Sequence, residues 1–435
     1  MDVIALMIGF VIAVGGTFLS LTIAHTIFSP VGIYSLVWGI VILLFSIHSL
    51  IGFDYVGIRL EIWLLVFLGW FTYILGCLTV MFSIQKGSDN SFPSTSVPGR
   101  IGNWMRLLTF IGSFGVMLKW IILMRSFGNL LQVISNLGNI RLQMLEEEFT
   151  FPVAVDFMVF FLFPSLIFAY ILTVKNARYF RWVTIIVALL FLNDFALAGR
   201  GTTMHGFFMV LSAYFLTNLD TISRSSEIRK LLKFAIGGVL LILLLYVSVI
   251  IRENLTGLSP WGYVREAFRG FYLYITGPLV AFSQIFEIGS LSKYFGAYTF
   301  GGIYRLINIL GNVIGLSDMF ESPPKPYMFI PQPFNTYPHL WFFYSDFGFA
   351  GTLITMWIMG WFFSYIYLKY RLRKTLSLLI VNILLFDYLL ITPRDTATFW
   401  ISFWFTLALS WFSAKCVEQR TRVRSNCGGN YAHNS

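Results

Sequence analysis

Residues 335–370 read NTYPHLWFFYSDFGFAGTLITMWIMGWFFSYIYLKY. The two halves of this stretch obey different rules. From Phe349 to Tyr370 the only charged residue is Lys369. A run of that length and composition reads as a bilayer-spanning helix, which needs about 20 apolar residues. From Asn335 to Asp346, polar groups and aromatic rings crowd the mouth of that run: Asn335, Thr336, Tyr337, His339, Tyr344 and Asp346. A membrane anchor needs no such cluster. The stretch therefore points to a membrane fold and to chemistry at its edge.

The rest of the chain agrees with the second half. Of 435 residues, 57% are hydrophobic and only 11% charged. The mean hydropathy is +0.77. A soluble chain would carry about 25% charged residues, so the expected class is an all-α, polytopic membrane protein. The net charge of +10 does not argue for nucleic acid, because the basic residues fall in short clusters between apolar runs, as orientation signals do. Cys77, Cys416 and Cys427 lack metal-ligand spacing. The first apolar run has no cleavage site and is read as a retained span.

About eleven spans are expected on length and hydropathy: Val3–Ala24, Gly32–Gly52, Ile62–Phe82, Trp104–Met124, Pro152–Val174, Val183–Leu197, Met204–Leu216, Phe234–Ile251, Phe349–Tyr370, Leu376–Ile391 and Thr398–Ala414. Residues 1–251 then hold the first eight and residues 347–415 the last three. Residues 252–346 form one long loop, and residues 416–435 a tail. Lys and Arg alternate between loops so that the tail is cytoplasmic and the long loop lies outside. That loop contains FYLYITGPLVAFSQIF, FGGIYRLINILGNVIG and PYMFIPQPF. Gly and Pro interrupt these pieces, so amphipathic or re-entrant helices are expected rather than spans.

Arginines on the outer side need a reason, because topology selects against them there. Arg200 sits in a glycine hairpin, Ala-Gly-Arg-Gly-Thr-Thr. Arg265 and Arg269 are spaced to share one helix face, and Arg252, Arg305 and Arg394 also fall outside or at the boundary. Guanidinium forks match phosphate oxygens, so several outward arginines suit a diphosphate. Taken singly, each could equally face lipid headgroups or pair with Glu253, Glu266 or Asp395. His339 is the candidate base, since imidazole titrates near neutrality. Asp346 is either a second base, an orienting group, or the N-cap of the following helix.

In order, these motifs are Gly-Arg-Gly, Arg-Glu-Asn-Leu at 252–255, Arg265 and Arg269 leading into Tyr-Ile-Thr-Gly-Pro at 274–278, Asn335-Thr336-Tyr337, and Tyr-Ser-Asp-Phe-Gly-Phe-Ala-Gly at 344–351. Over Ala198 to Gly351 this order resembles the oligosaccharide repeat-unit polymerases, the Wzy-type O-antigen polymerases. The resemblance implies a glycosyltransferase of C-type architecture in the bacterial inner membrane, with its site facing the periplasm. Its substrate would be an oligosaccharide on undecaprenyl diphosphate, with no cofactor, no obligatory metal and no nucleic acid. Arg200, Arg265, Arg269, Arg252 and Arg305 would hold the diphosphate. Asn335, Thr336, Tyr337 and Tyr344 would meet sugar, and His339 and Asp346 would serve the chemistry. Membrane lipid, a chain-length regulator and a flippase would be its partners. Related O-antigen ligases place a catalytic His beside an Asn, whereas here Pro338 and His339 follow Asn335 at a distance. The competing readings are a lipid-linked oligosaccharide flippase or other transporter, and the ligase.

Overall fold

The computed structural model describes residues 2–53, 55, 57–83, 101–145, 148–197, 199, 201–218, 259–286, 295–313, 325–330 and 333–428. In chain order the helices are α1 (Val3–Ile23), α2 (Pro30–Ser46), α3 (Leu60–Phe82), α4 (Ile101–Phe127), α5 (Leu130–Ser135), α6 (Leu137–Leu145), α7 (Val153–Lys175), α8 (Ala177–Ala196), α9 (Gly201–Thr217), α10 (Pro260–Ile285), α11 (Gly301–Val313), α12 (His339–Arg373), α13 (Leu376–Ile391) and α14 (Ile401–Gly428). A two-stranded hairpin, β1 (Met328–Phe329) and β2 (Pro333–Phe334), lies between α11 and α12.

Among the described residues, α1, α3, α4, α7, α8 and α12 are long and apolar enough to cross a membrane. The second and tenth expected spans, α2 and α13, are apolar but shorter, at 17 and 16 residues. The eighth, Phe234–Ile251, lies outside the described residues. The chain divides into two compact units.

The first unit contains residues 1–91, 272–374 and 384–404. Small residues let its helices touch backbone to backbone, the device that replaces the hydrophobic drive in a bilayer. A Cβ on Gly76 of α3 would strike the Trp357 carbonyl of α12, and one on Gly360 would strike the Tyr73 carbonyl. The same logic joins α1 to α2, where Gly39 lies on Ala13 and Gly16 on Ser35.

Two expectations for the long loop change. The stretch 271–286 is not broken at Gly277-Pro278: α10 runs 26 residues straight through Pro278. Gly277 is there because the hairpin packs over it. A Cβ would come to 3.0 Å from Ile330 and 3.1 Å from Phe334. PYMFIPQPF supplies that hairpin, with Met328 opposite Phe334 and Phe329 opposite Pro333.

Helix α12 also differs. It begins at His339 after Pro338, well before Phe349, and is interrupted at Gly348, where φ is 67° and ψ −169°. Only glycine adopts that region at little cost. Asp346 therefore does not cap the start of a helix. Its carboxylate instead accepts the backbone N–H of Tyr298, at 3.1 Å, and of Thr299, just ahead of α11.

The second unit contains residues 92–271, 375–383 and 405–435. In it, α4 packs against α7 through Gly112 and Gly115, over Leu162 and Met158. Lys119 of α4 is 2% exposed, yet its ammonium is fully engaged. Asp156 Oδ1 lies at 2.6 Å, Asn193 Oδ1 at 3.0 Å, and the Phe151 ring centroid at 5.1 Å. Neighbouring Asp194 accepts the backbone N–H of Thr202 and Thr203, at 3.1 and 2.7 Å, and so caps α9. This ties down both ends of the expected hairpin between α8 and α9.

Candidate anion-binding site

The site in the first unit is built on the turn after α13. Pro393 cannot continue a helix, and the chain folds back on itself. The N–H groups of Arg394 and Asp395 both bond the Ile391 carbonyl at 2.9 Å. The turn is held from two further sides. Trp38 Nε1 of α2 donates to Thr392 Oγ1 at 3.0 Å. The Thr392 carbonyl accepts both the backbone N–H and the Nδ1–H of His339, each at 2.9 Å.

Asp395 is the centre. Its Oδ1 accepts the Thr396 N–H at 2.8 Å and lies 2.9 Å from Lys325 Nζ. Its Oδ2 accepts Trp400 Nε1 at 3.1 Å. The side chains of Lys325 and Asp395 are 11% and 7% exposed. The ammonium sits 4.8 Å from the ring centroids of both Phe342 and Trp400, within the range of cation–π attraction.

Two more cations belong here. The Arg394 guanidinium lies 3.9 Å from the Tyr274 ring centroid. Arg305 comes in on α11, whose Gly302 packs on the Thr398 and Trp400 backbone. Burial pushes the Arg305 guanidinium below the usual arginine range, with Asp395 pulling back. Burial likewise lowers Lys325; Asp395 opposes that shift and Arg305 adds to it. Lys325 and Arg305 thus both feel the Asp395 carboxylate. Cations gathered between aromatic rings are what an anionic ligand with an apolar or sugar neighbour requires.

The sequence candidates fall in several places. Arg305 is in this cluster. Tyr337 is fully buried and stacked on Trp341 at 4.3 Å. Its hydroxyl donates to the Pro326 carbonyl at 2.8 Å, so it holds the Lys325 segment in place. Tyr344 is half-buried and stacked on Phe286 at 4.7 Å. Asn335 and Thr336 are half-buried between β2 and α12. His339 is 0% exposed. With Nδ1 donating to Thr392, its Nε2 faces the Tyr34 hydroxyl at 3.3 Å and Met356 Sδ at 3.2 Å. Both nitrogens are therefore occupied by protein. Asp346 is half-buried, and each of its carboxylate oxygens accepts one N–H of the Tyr298–Thr299 turn.

Arg265 and Arg269 lie in the other unit, on the exposed side of the first half of α10. Arg265 is 78% exposed, with Nε 3.7 Å from Glu266. Arg200 and Arg252 are outside the described residues.

Sequence reasoning passed over Lys325. It stands in Pro-Pro-Lys-Pro, which reads as an exposed turn. The available signal was the one applied to the arginines, a cation on the side where topology disfavours it. No protein-family model, curated protein or solved structure matches the chain.

Proposed function

We propose that this protein is an integral-membrane glycosyltransferase of the bacterial inner membrane. It joins polyprenyl-diphosphate-linked oligosaccharide repeat units at the periplasmic face, with its C-terminus in the cytoplasm. The observation that carries this reading is the gathering of Lys325 and Arg305 around Asp395, beside Phe342 and Trp400, with Arg394, the preceding residue, stacked on Tyr274.

A hydroxyl of the acceptor repeat attacks the anomeric carbon of the donor chain. The bond from that carbon to the diphosphate breaks, and the diphosphate leaves with the electron pair. Fixed cations placed where that charge develops lower the barrier, since they need no reorganisation during the reaction. Lys325, Arg305 and Arg394 take this role. Partly exposed Trp400 and half-buried Tyr344 offer rings for the apolar faces of sugar. The acceptor proton passes to a base, and Asp346 is the less enclosed of the two candidates. Undecaprenyl diphosphate is the carrier, and a flippase and a chain-length regulator act on either side of the step.

The test is a gel of surface glycolipid from a deletion strain of the native host. A single repeat on the lipid core, with the ladder restored by wild type but not by Lys325→Ala, is the expected result. Bare core without any repeat would replace this reading with a flippase or a ligase.

A further inference from the structure

His339 carries an imidazole, the group chemistry would pick first as a base, yet its surroundings assign it other work. It donates twice to one oxygen. The backbone N–H and the Nδ1–H converge on the Thr392 carbonyl, both at 2.9 Å. A carbonyl accepts only, so the ring carries a proton on Nδ1, and in the neutral imidazole Nε2 is then the acceptor. That leaves Nε2 for the Tyr34 hydroxyl, in a fully enclosed setting. The rings of Trp38 and Phe343 stand edge-on to the imidazole at 5.5 and 5.3 Å and fix its plane.

The oxygen it holds belongs to the turn that presents Arg394 and Asp395. Thr392 is two residues before Arg394, and its hydroxyl is held by Trp38. On the far side Tyr388 and Thr398 hold Thr396 through its hydroxyl, each at 2.9 Å. The turn is thus clamped at both ends, with Arg394 and Asp395 between the clamps. His339 is also the first residue of α12, three residues before Phe342, whose ring faces the Lys325 ammonium.

We infer that His339 is a positioning residue: through its double bond to Thr392 it sets the turn that places Arg394 and Asp395 at the anion site. The inference rests on the proposed site for its functional meaning, but the clamp itself can be read without any substrate. Asparagine is the informative substitution, because its side-chain N–H reproduces an Nδ1–H donor and cannot act as a base.

The experiment compares full-length wild type, His339→Asn, His339→Gln and His339→Ala, purified in lipid nanodiscs, by hydrogen–deuterium exchange. Losing one buried hydrogen bond to the turn should speed exchange of the peptide over residues 392–396 by about tenfold in the Ala variant. The Gln variant should resemble Ala, and the Asn variant wild type. Unchanged exchange in Ala would overturn the clamp. In a strain complemented with each variant, Asn should restore the glycolipid ladder, whereas a catalytic base would leave Asn as inactive as Ala. Exchange confined to 392–396 separates the clamp from general unfolding. Should Ala fail to fold, Trp38→Phe removes the neighbouring bond to Thr392 and should speed exchange in the same peptide; no change there overturns the clamp. A wild-type protein that makes no ladder would defeat the polymerase reading and leave the exchange result standing.

Discussion

Each unit buries a lysine against an aspartate, and the two pairs are built to opposite ends. Lys119 is matched in full, with one carboxylate, one amide oxygen and one ring face on a single ammonium. Charge there is balanced, and no donor is left to offer. Around Lys325, one carboxylate answers to Arg305 as well, and Arg394 follows in the next position of the chain. A balanced pair inside a membrane protein holds helices together. A carboxylate shared by two cations beside aromatic rings is the arrangement proposed above as an anion site. Burial alone does not separate the two pairs; the sharing of Asp395 between Lys325 and Arg305 does.

Substitutions can break this contrast. The largest effect should come from Lys325→Ala, which removes a cation from where negative charge develops. The polymer ladder should fall by at least about 100-fold, with unchanged protein in the membrane fraction. A normal ladder would remove Lys325 from the site. Next comes the balanced pair, which should respond in stability and asymmetrically. Asp156→Ala strands a 2% exposed lysine and should cost about 3 kcal/mol in denaturant unfolding. Lys119→Met strands an aspartate that is 42% exposed, so solvent reduces the loss to about 1 kcal/mol. Equal losses would contradict the asymmetry.

Finer still is Lys325→Arg, which keeps the charge. Burial lowers the lysine's pKa, so as pH rises it loses its proton earlier than an ordinary lysine, and anion affinity falls with it. Arginine stays charged over that range. Binding of inorganic pyrophosphate to the purified variant should therefore persist to higher pH than in wild type. The smallest effect should be Arg373→Ala, an exposed position in the last turn of α12, with the ladder unaltered.

The apolar helices were legible because hydropathy over about 20 residues is a strong signal. Their crossings were not, since Gly76 and Gly360 reveal a backbone contact only once α3 and α12 are paired. At 277–278 the Gly-Pro pair reads as a break, yet α10 continues, because Gly277 serves the hairpin packed above it. At the site, Arg305 could be picked out as a misplaced cation. Lys325 was hidden by its prolines, and Asp395 entered only as a partner for arginine. The role of His339 was the least legible. Its residue type suggests proton transfer, while its actual partner, Thr392, lies more than fifty residues away in sequence.

The break at Gly348 also bears on bilayer thickness. As one 35-residue helix, α12 would be about 52 Å long, far beyond a hydrocarbon core of about 30 Å. From Phe349 onward it measures about 37 Å and can tilt to suit thicker or thinner lipid. The leading turns need not follow, being fastened through His339 to Thr392 and through Asp346 to Tyr298 and Thr299. A joint at Gly348 would let the span tilt with lipid thickness while the turns fastened to Thr392, Tyr298 and Thr299 stay in place.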